Sequence, residues 1–257
     1  MNTILFAVEN SVATLTLNRP DKLNAISDEM LAEIRSGLEQ ARDDEAVRVI
    51  ILTGAGRGFC AGQDVSSFRA DMSDYDISEH LMNSYKPIID LLRDIPKPVI
   101  GALNGVAAGA GASLALACDL RIMARDATLV QAFSNIGLIP DAGSSWFLVR
   151  LVGYSRAFEL AAEGERISAQ RCLALGLANR LVDTEKLAAE ARAWAEQLSE
   201  RAIFAIGLTK QAMNYAAAHS LPETIEFEAR LQGQAAASAE FAEGVRAFRE
   251  KRRPNFK

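Results

Sequence analysis

Histidine and cysteine are scarce in this chain. Only His80 and His219 occur among its 257 residues, which leaves little material for a Ser-His-Asp triad or a histidine-bound metal. The three cysteines, Cys60, Cys118 and Cys172, are odd in number, far apart and in no zinc-ligand spacing. Neither a disulfide framework nor a metal site is expected, and the compartment is expected to be reducing. An excess of positive charge is lacking too: 28 Lys and Arg stand against 33 Asp and Glu, a net charge of -5. Nothing overall draws the chain to nucleic acid or to an anionic membrane. The start, MNTILFAVENSVATL, has no positively charged segment ahead of an apolar core, so secretion is not expected and a cytoplasmic location is.

What is present is the composition of an ordinary globular protein, 49% hydrophobic and 24% charged, at a length that suits one main domain. One uncharged run, Val99 to Cys118, carries Gly101, Gly105 and Gly109 in GxxxG spacing. A membrane helix is the wrong reading of it. The run is alanine and glycine rather than leucine, and Asn104-Gly105 signals a turn, so it parses as a buried strand, a turn and a buried helix.

The first half alternates strands and helices. "VATLTLN" and "VRVIILTG" read as strands. Between them, "SDEMLAEIRSGLEQA" predicts a helix with Ser27 as N-cap and Met30, Leu31, Ile34, Leu38 and Ala41 on its apolar face. "HLMNSYKPIIDLLRDIP" predicts another, stopped by Pro96. "KPVIGALNG", "VAAGAGASLALACD" and "LRIMARDATLVQA" continue as strand and turn, turn into helix, and strands. A short helix follows Asp141, and beyond Gly153 the chain reads as almost wholly helical. No linker or low-complexity tract intervenes, so the helical tail is a lobe of the same domain.

Three glycines, Gly54, Gly56 and Gly58, follow a strand in "ILTGAGRGFCAGQD". Their spacing fails the dinucleotide fingerprint, and no helix follows at once. They read as a bend that lets the backbone approach something closely. In "NGVAAGAGASLAL" a helix begins near Gly109 to Gly111, where free amides and the positive end of the dipole can hold an anion or a developing oxyanion. Asp141, in "GLIPDAGSSW", is a lone carboxylate among small and apolar residues. It is either the N-cap of the following helix, worth about 1 kcal/mol, or a proton carrier. Leu138, Ile139 and Trp146 would raise its pKa and a helix N-terminus would lower it. Glu163 and Glu165, either side of Gly164, read as solvated.

"LNRPDKLNAIS", "GFCAGQD", "KPVIGALNGVAAGAGASLALACDLRI", "IGLIPDAGSSW", "GERISAQRCLALGLANRLV" and "EGVRAFREKRRPNF", in that order, resemble the crotonase (enoyl-CoA hydratase/isomerase) superfamily over nearly the whole chain. The resemblance implies an α/β fold, a crotonase-like spiral of ββα units. Residues 1–195 would form the spiral core with CoA and active site, and residues 196–257 a helical C-terminal lobe of the same structural domain that packs subunits into a homotrimer or a hexamer of paired trimers. The implied ligand is an acyl-CoA thioester, with no metal or redox cofactor. Mapped by the family motifs, the backbone amides of Gln63 and Ala110 form the oxyanion hole. Lys22, Leu23, Ala25 and Ala61 lie along CoA, and Gly62, Asp64, Gly109, Ser113 and Phe133 complete the substrate- and CoA-binding set. Asp64 would organise the loop that presents the Gln63 amide.

Hydratases of the family carry two glutamates, at the positions that read Ser113 and Phe133 here. Isomerase branches place an acid at or near the Asp141 position, and the text around Asp141 is most similar to the branch that isomerises ring epoxides of phenylacetyl-CoA. The resemblance therefore implies an acyl-CoA isomerase that moves a proton with Asp141, by double-bond shift or by opening a ring epoxide toward an oxepin. A hydratase that handles water with fewer acids is the alternative. A non-catalytic CoA-thioester binder or an RNA-associated relative is the reading from another class, the latter opposed by the acidic net charge. The stretch from Ser66 to Tyr85 is expected to line the acyl end of the pocket. One of Arg246, Arg249, Lys251, Arg252 and Arg253 is expected to meet CoA phosphate, the rest to pair with a helix C-terminus.

Overall fold

The computed structural model describes residues 2–64, 66 and 74–256. The first two strands, β1 (Ile4–Glu9) and β2 (Val12–Leu17), form an antiparallel hairpin. Helix α1 (Asp28–Asp43) follows, with the Ser27 hydroxyl accepting the Met30 N–H as the N-cap. Its apolar stripe is buried as the periodicity predicts, and Met30, Ile34 and Leu38 are wholly inside. Each such side chain contributes about 1.5–3 kcal/mol of hydrophobic stabilisation.

From there the chain coils. β3 (Val49–Gly54), β5 (Val99–Leu103) and β7 (Leu120–Ala124) lie side by side in parallel in one sheet. β4 (Gly58–Cys60), β6 (Val106–Ala108) and β8 (Thr128–Val130) do the same in a second. Each turn thus gives one strand to each sheet before a helix returns the chain: α2 (Asp74–His80) running through a π-helical turn, Leu81–Tyr85, into α3 (Lys86–Asp94), then α4 (Ala110–Ala117), then α5 (Ser144–Val152). The result is the α/β spiral of ββα units that the family resemblance implies. β3, β5 and β7 are rich in Val, Ile and Leu because both faces of that sheet are covered.

Helix α4 is buried along all eight residues, which only small or aliphatic side chains permit. Its far end is held by Arg121, whose buried guanidinium donates to the carbonyls of Leu116 and Cys118 and to that of Leu177. A cation at a helix C-terminus satisfies the orphan carbonyls and complements the dipole.

Beyond Gly153 the chain is not wholly helical, which corrects the sequence expectation. After α6 (Tyr154–Glu163), β9 (Arg166–Ser168) pairs antiparallel with β8, and after α7 (Ala169–Ala174), β10 (Arg180–Val182) extends the large sheet beside β7. Each is three residues long, too short to show periodicity, and each is held by pairing to a preformed edge. Four helices close the chain: α8 (Leu187–Ser199), α9 (Ile203–Ala216), α10 (Leu221–Ala236) and α11 (Ala239–Arg249). No helix among the described residues is long and apolar enough to cross a membrane.

Candidate active site

The bend after β3 is knotted by two asparagines. Buried Asn24 accepts the Arg19 N–H and donates to the carbonyls of Ala55, Gly58 and Phe59. Asn104, at the turn after β5, donates to Gly56 and Gly58. Leu23 and Asn24 adopt positive φ, at 49° and 57°, which wraps residues 19–26 around the bend. The chain beyond β4 then zips onto that wrap: Ala61 N–H donates to Leu23, Ile26 N–H to Gly62 and Asp64 N–H to Ile26, at 2.8–2.9 Å. In this short parallel ladder, Ile26 faces Gln63, whose own N–H is left over.

Gly62 carries a φ of +96°, and a Cβ there would sit 2.9 Å from the Ala108 carbonyl oxygen and 3.7 Å from the Ala110 nitrogen. Only glycine lets the Gln63 strip lie this close to the start of α4. At that start Gly109, with φ +51°, is the N-cap and donates to Val130, leaving Ala110 as the first helical residue. Among the described residues, the N–H groups of Gln63 and Ala110 have no acceptor. Two neighbouring free amides, one at a helix N-terminus, can hold a developing oxyanion. The Phe133 ring lies over Gly109, 4.0 Å from where a Cβ would be.

Asp64 is held rigidly. It forms an ion pair with Arg19 at 2.9 Å and accepts the hydroxyl and N–H of Ser66, which together hold its carboxyl down at about 2. Arg19 also donates to the Ala25 carbonyl at 2.6 Å. Asp64 thus braces the strip behind Gln63.

Asp141 is the opposite case. The capping alternative does not survive: α5 begins at Ser144, its N-cap is Gly143 in the left-handed region, and no side chain caps it. Ala142 also has positive φ, 46°. The tight turn places the Asp141 carbonyl, rather than its carboxyl, against the Ser144 N–H at 2.9 Å. The carboxyl atom Oδ1 is buried without a partner, and burial alone pushes the group up to about 6. Of the two opposing influences weighed from sequence, desolvation wins because the helix terminus lies three residues further on. Leu138, Ile139 and Trp146, named there as its apolar surroundings, are themselves exposed.

Ser113, wholly buried on α4, directs its hydroxyl to the Asp141 carbonyl at 3.0 Å and to the Gly109 carbonyl at 3.3 Å. Tyr85, which ends the π turn, donates its phenol proton to Gln63 Oε1. Asp141 is among the charges that help burial push that phenol up. Neither link is legible from spacing, since a π turn changes which face a residue occupies. Residues 67–73 of the stretch expected to line the acyl end lie outside the described residues. A cavity of about 480 Å³ opens between α3 and α5, walled by Leu81, Met82, Ile89, Ala142, Trp146 and Phe147 together with the charged Lys86, Asp90, Arg93 and Asp94.

Lys22 is exposed at the rim of the wrap, with Leu23 and Ala25 half-buried beside Ala61. In the C-terminal cluster, Arg246 and Arg252 are engaged by Glu243, which also accepts the Asn255 N–H. Pairing within the chain accounts for those two. Glu163 and Glu165 are exposed. Of the bracing residues, Asn104 was read from sequence only as part of a turn signal, and Arg19 and Asn24 were not singled out.

A ββα spiral that brings two free amides and a carboxylate with a buried, unpartnered Oδ1 onto successive turns defines a protein of the crotonase fold. The Enoyl-CoA hydratase/isomerase family model matches residues 7–257. Over its whole length the chain is 45% identical to the 1,2-epoxyphenylacetyl-CoA isomerase of Escherichia coli (strain K12), of which 98% is covered. Another relative, 40% identical over 99% of this chain and 98% of its own, is a probable enoyl-CoA hydratase of Rhodobacter capsulatus. A crystal structure of an enoyl-CoA hydratase subunit from Geobacillus kaustophilus superposes with a TM-score of 0.93 at 38% identity, covering 99% and 98% of the two chains. The chain belongs to the enoyl-CoA hydratase/isomerase family and is an enzyme of the CoA-thioester isomerase or hydratase kind.

Proposed function

We propose that the protein is an acyl-CoA isomerase in which Asp141 carries the proton. The carboxylate removes a proton from a carbon activated by the thioester carbonyl, and the electrons of the broken C–H bond move to the carbonyl oxygen. The N–H groups of Gln63 and Ala110 hold that oxygen as an enolate, and one such donor is worth about 3 kcal/mol in the transition state. The protonated Asp141 then returns its proton elsewhere on the acyl group. A carboxyl at about 6 suits both halves, being ionised at neutral pH yet a competent acid. The shuttle is redox-neutral and calls for no group beyond the CoA of the substrate.

The observation that carries this reading is the buried, unpartnered Oδ1 of Asp141. Ser113 and Phe133 bring no second carboxyl to activate water. Likeness to the Escherichia coli isomerase favours a ring-epoxide acyl group. Lys22, Leu23, Ala25 and Ala61 would meet CoA. Exposed Phe204, Met213, Leu221, Ile225 and Phe241 on α9–α11 would be covered in a homotrimer or hexamer, and a cytoplasmic setting fits the free cysteines. The hydratase alternative draws on relatives such as that of Rhodobacter capsulatus.

The test compares the parent enzyme with Asp141→Asn on an epoxide-bearing phenylacetyl-CoA, a 3-enoyl-CoA and crotonyl-CoA, with mass-spectrometric detection. Isomerisation by the parent and a loss of about 10²–10⁴-fold in the variant are expected, with unchanged CoA affinity. Rapid loss of the enoyl absorbance of crotonyl-CoA would select the hydratase reading instead.

A further inference from the structure

Ser113 sits on the helix whose first amide belongs to Ala110, and Asp141 sits on a separate turn of the spiral. Their one direct link in this structure is the Ser113 hydroxyl at 3.0 Å from the Asp141 carbonyl. That carbonyl also receives the Ser144 N–H at 2.9 Å. The Gly109 carbonyl is the poorer acceptor for the hydroxyl, at 3.3 Å, and already takes the Ser113 N–H. Asp141 therefore has its main chain clamped between the early turns of α4 and α5, while its Oδ1 is held by nothing. An aspartate has a short side chain, so its main-chain position decides which substrate carbons the carboxyl can reach.

We infer that Ser113 is a positioning residue that fixes the distance between the proton carrier and the oxyanion donors by tying the Asp141 main chain to α4. The inference rests on the reading of Asp141 as the proton carrier. It gives a purpose to a hydroxyl in a helix that is otherwise glycine, alanine and leucine. A wholly buried serine whose hydroxyl served only its own helix would bond four residues back, and this one lies nearer to the carbonyl of another segment. No charged side chain contributes to the shift of Asp141. Among the described residues, Tyr85 from the π turn is a titratable group that feels its charge.

The experiment measures isomerisation by Ser113→Ala and Ser113→Cys across pH 4.5 to 9, beside thermal melts and Asp141→Asn. Alanine suits a buried helical site, and the Asp141 carbonyl keeps its bond from Ser144, so the melting temperature should change by only a few degrees. A misplacement of about 1 Å can cost about a hundredfold in rate, so kcat of Ser113→Ala should fall roughly tenfold to a hundredfold with KM little changed. The acid limb of its pH profile should move below that of the parent as water reaches the loosened carboxyl, with Ser113→Cys, a weak donor of similar size, falling between. Parent-like kcat in Ser113→Ala, or a loss with the acid limb unmoved and cysteine no better than alanine, overturns the inference. If Asp141→Asn is inactive, those outcomes remove only the role of Ser113. If Asp141→Asn turns over normally, the reading of Asp141 falls and takes this inference with it.

Discussion

Asp64 and Asp141 are both aspartates in glycine-rich loops of one site, yet the fold treats them in opposite ways. Asp64 has a guanidinium, a hydroxyl and an amide on its oxygens and is held near 2. Asp141 has none of these on Oδ1 and stands near 6. Residue type does not separate them, and neither does loop composition. What separates them is the number of donors that the surrounding chain supplies, and on the proposed roles the first holds structure while the second exchanges protons.

The pH dependence of turnover should break this contrast most visibly if it is wrong. With Asp141 acting as a base at about 6, kcat should fall about tenfold for each pH unit below that value. A profile flat down to pH 4.5 would mean that Asp141 is paired like Asp64. Stability gives a second, smaller reading of the same group. Its folded pKa lies above the ordinary 3.8, so the folded state binds the extra proton, and stability falls as pH rises from about 4 through about 6. Asp141→Asn should therefore unfold about 1–2 kcal/mol harder than the parent at pH 7.5 after allowance for partial solvent access, with the gap closing near pH 4. Urea titrations at the two pH values check this.

The smallest effect is expected at the other carboxyl. Asp64→Asn keeps one oxygen for Arg19 or Ser66 and loses a partly exposed ion pair. Stability should drop only slightly, and kcat/KM by no more than about tenfold, through a looser Gln63 strip. A loss as deep as that of Asp141→Asn would erase the distinction between the two acids.

The strands with alternating or β-branched runs and the capped, striped helix α1 were legible because period and cap are local properties. The strands β6, β9 and β10 were not, since three residues carry no period and exist only through their neighbours. The position of Ala110 at a helix start followed from its glycines. The environment of Asp141 did not follow, because it depends on where α5 begins: a proximity of two or three residues in sequence separates a cap from a carboxylate with an unpartnered oxygen. Likewise the bond from Tyr85 to Gln63 joins two turns of the spiral through a π turn that no periodicity announces.

The coil has a consequence for how such enzymes diverge. Gln63, Ala110 and Asp141 each ride on a different revolution of the chain, the first two following β4 and β6 and the third following β8. On the proposed roles, the grip on the thioester is written in the earlier revolutions and the chemistry in the last. A lineage can then rewrite the final loop and acquire a new reaction without surrendering its hold on the common handle of its substrates.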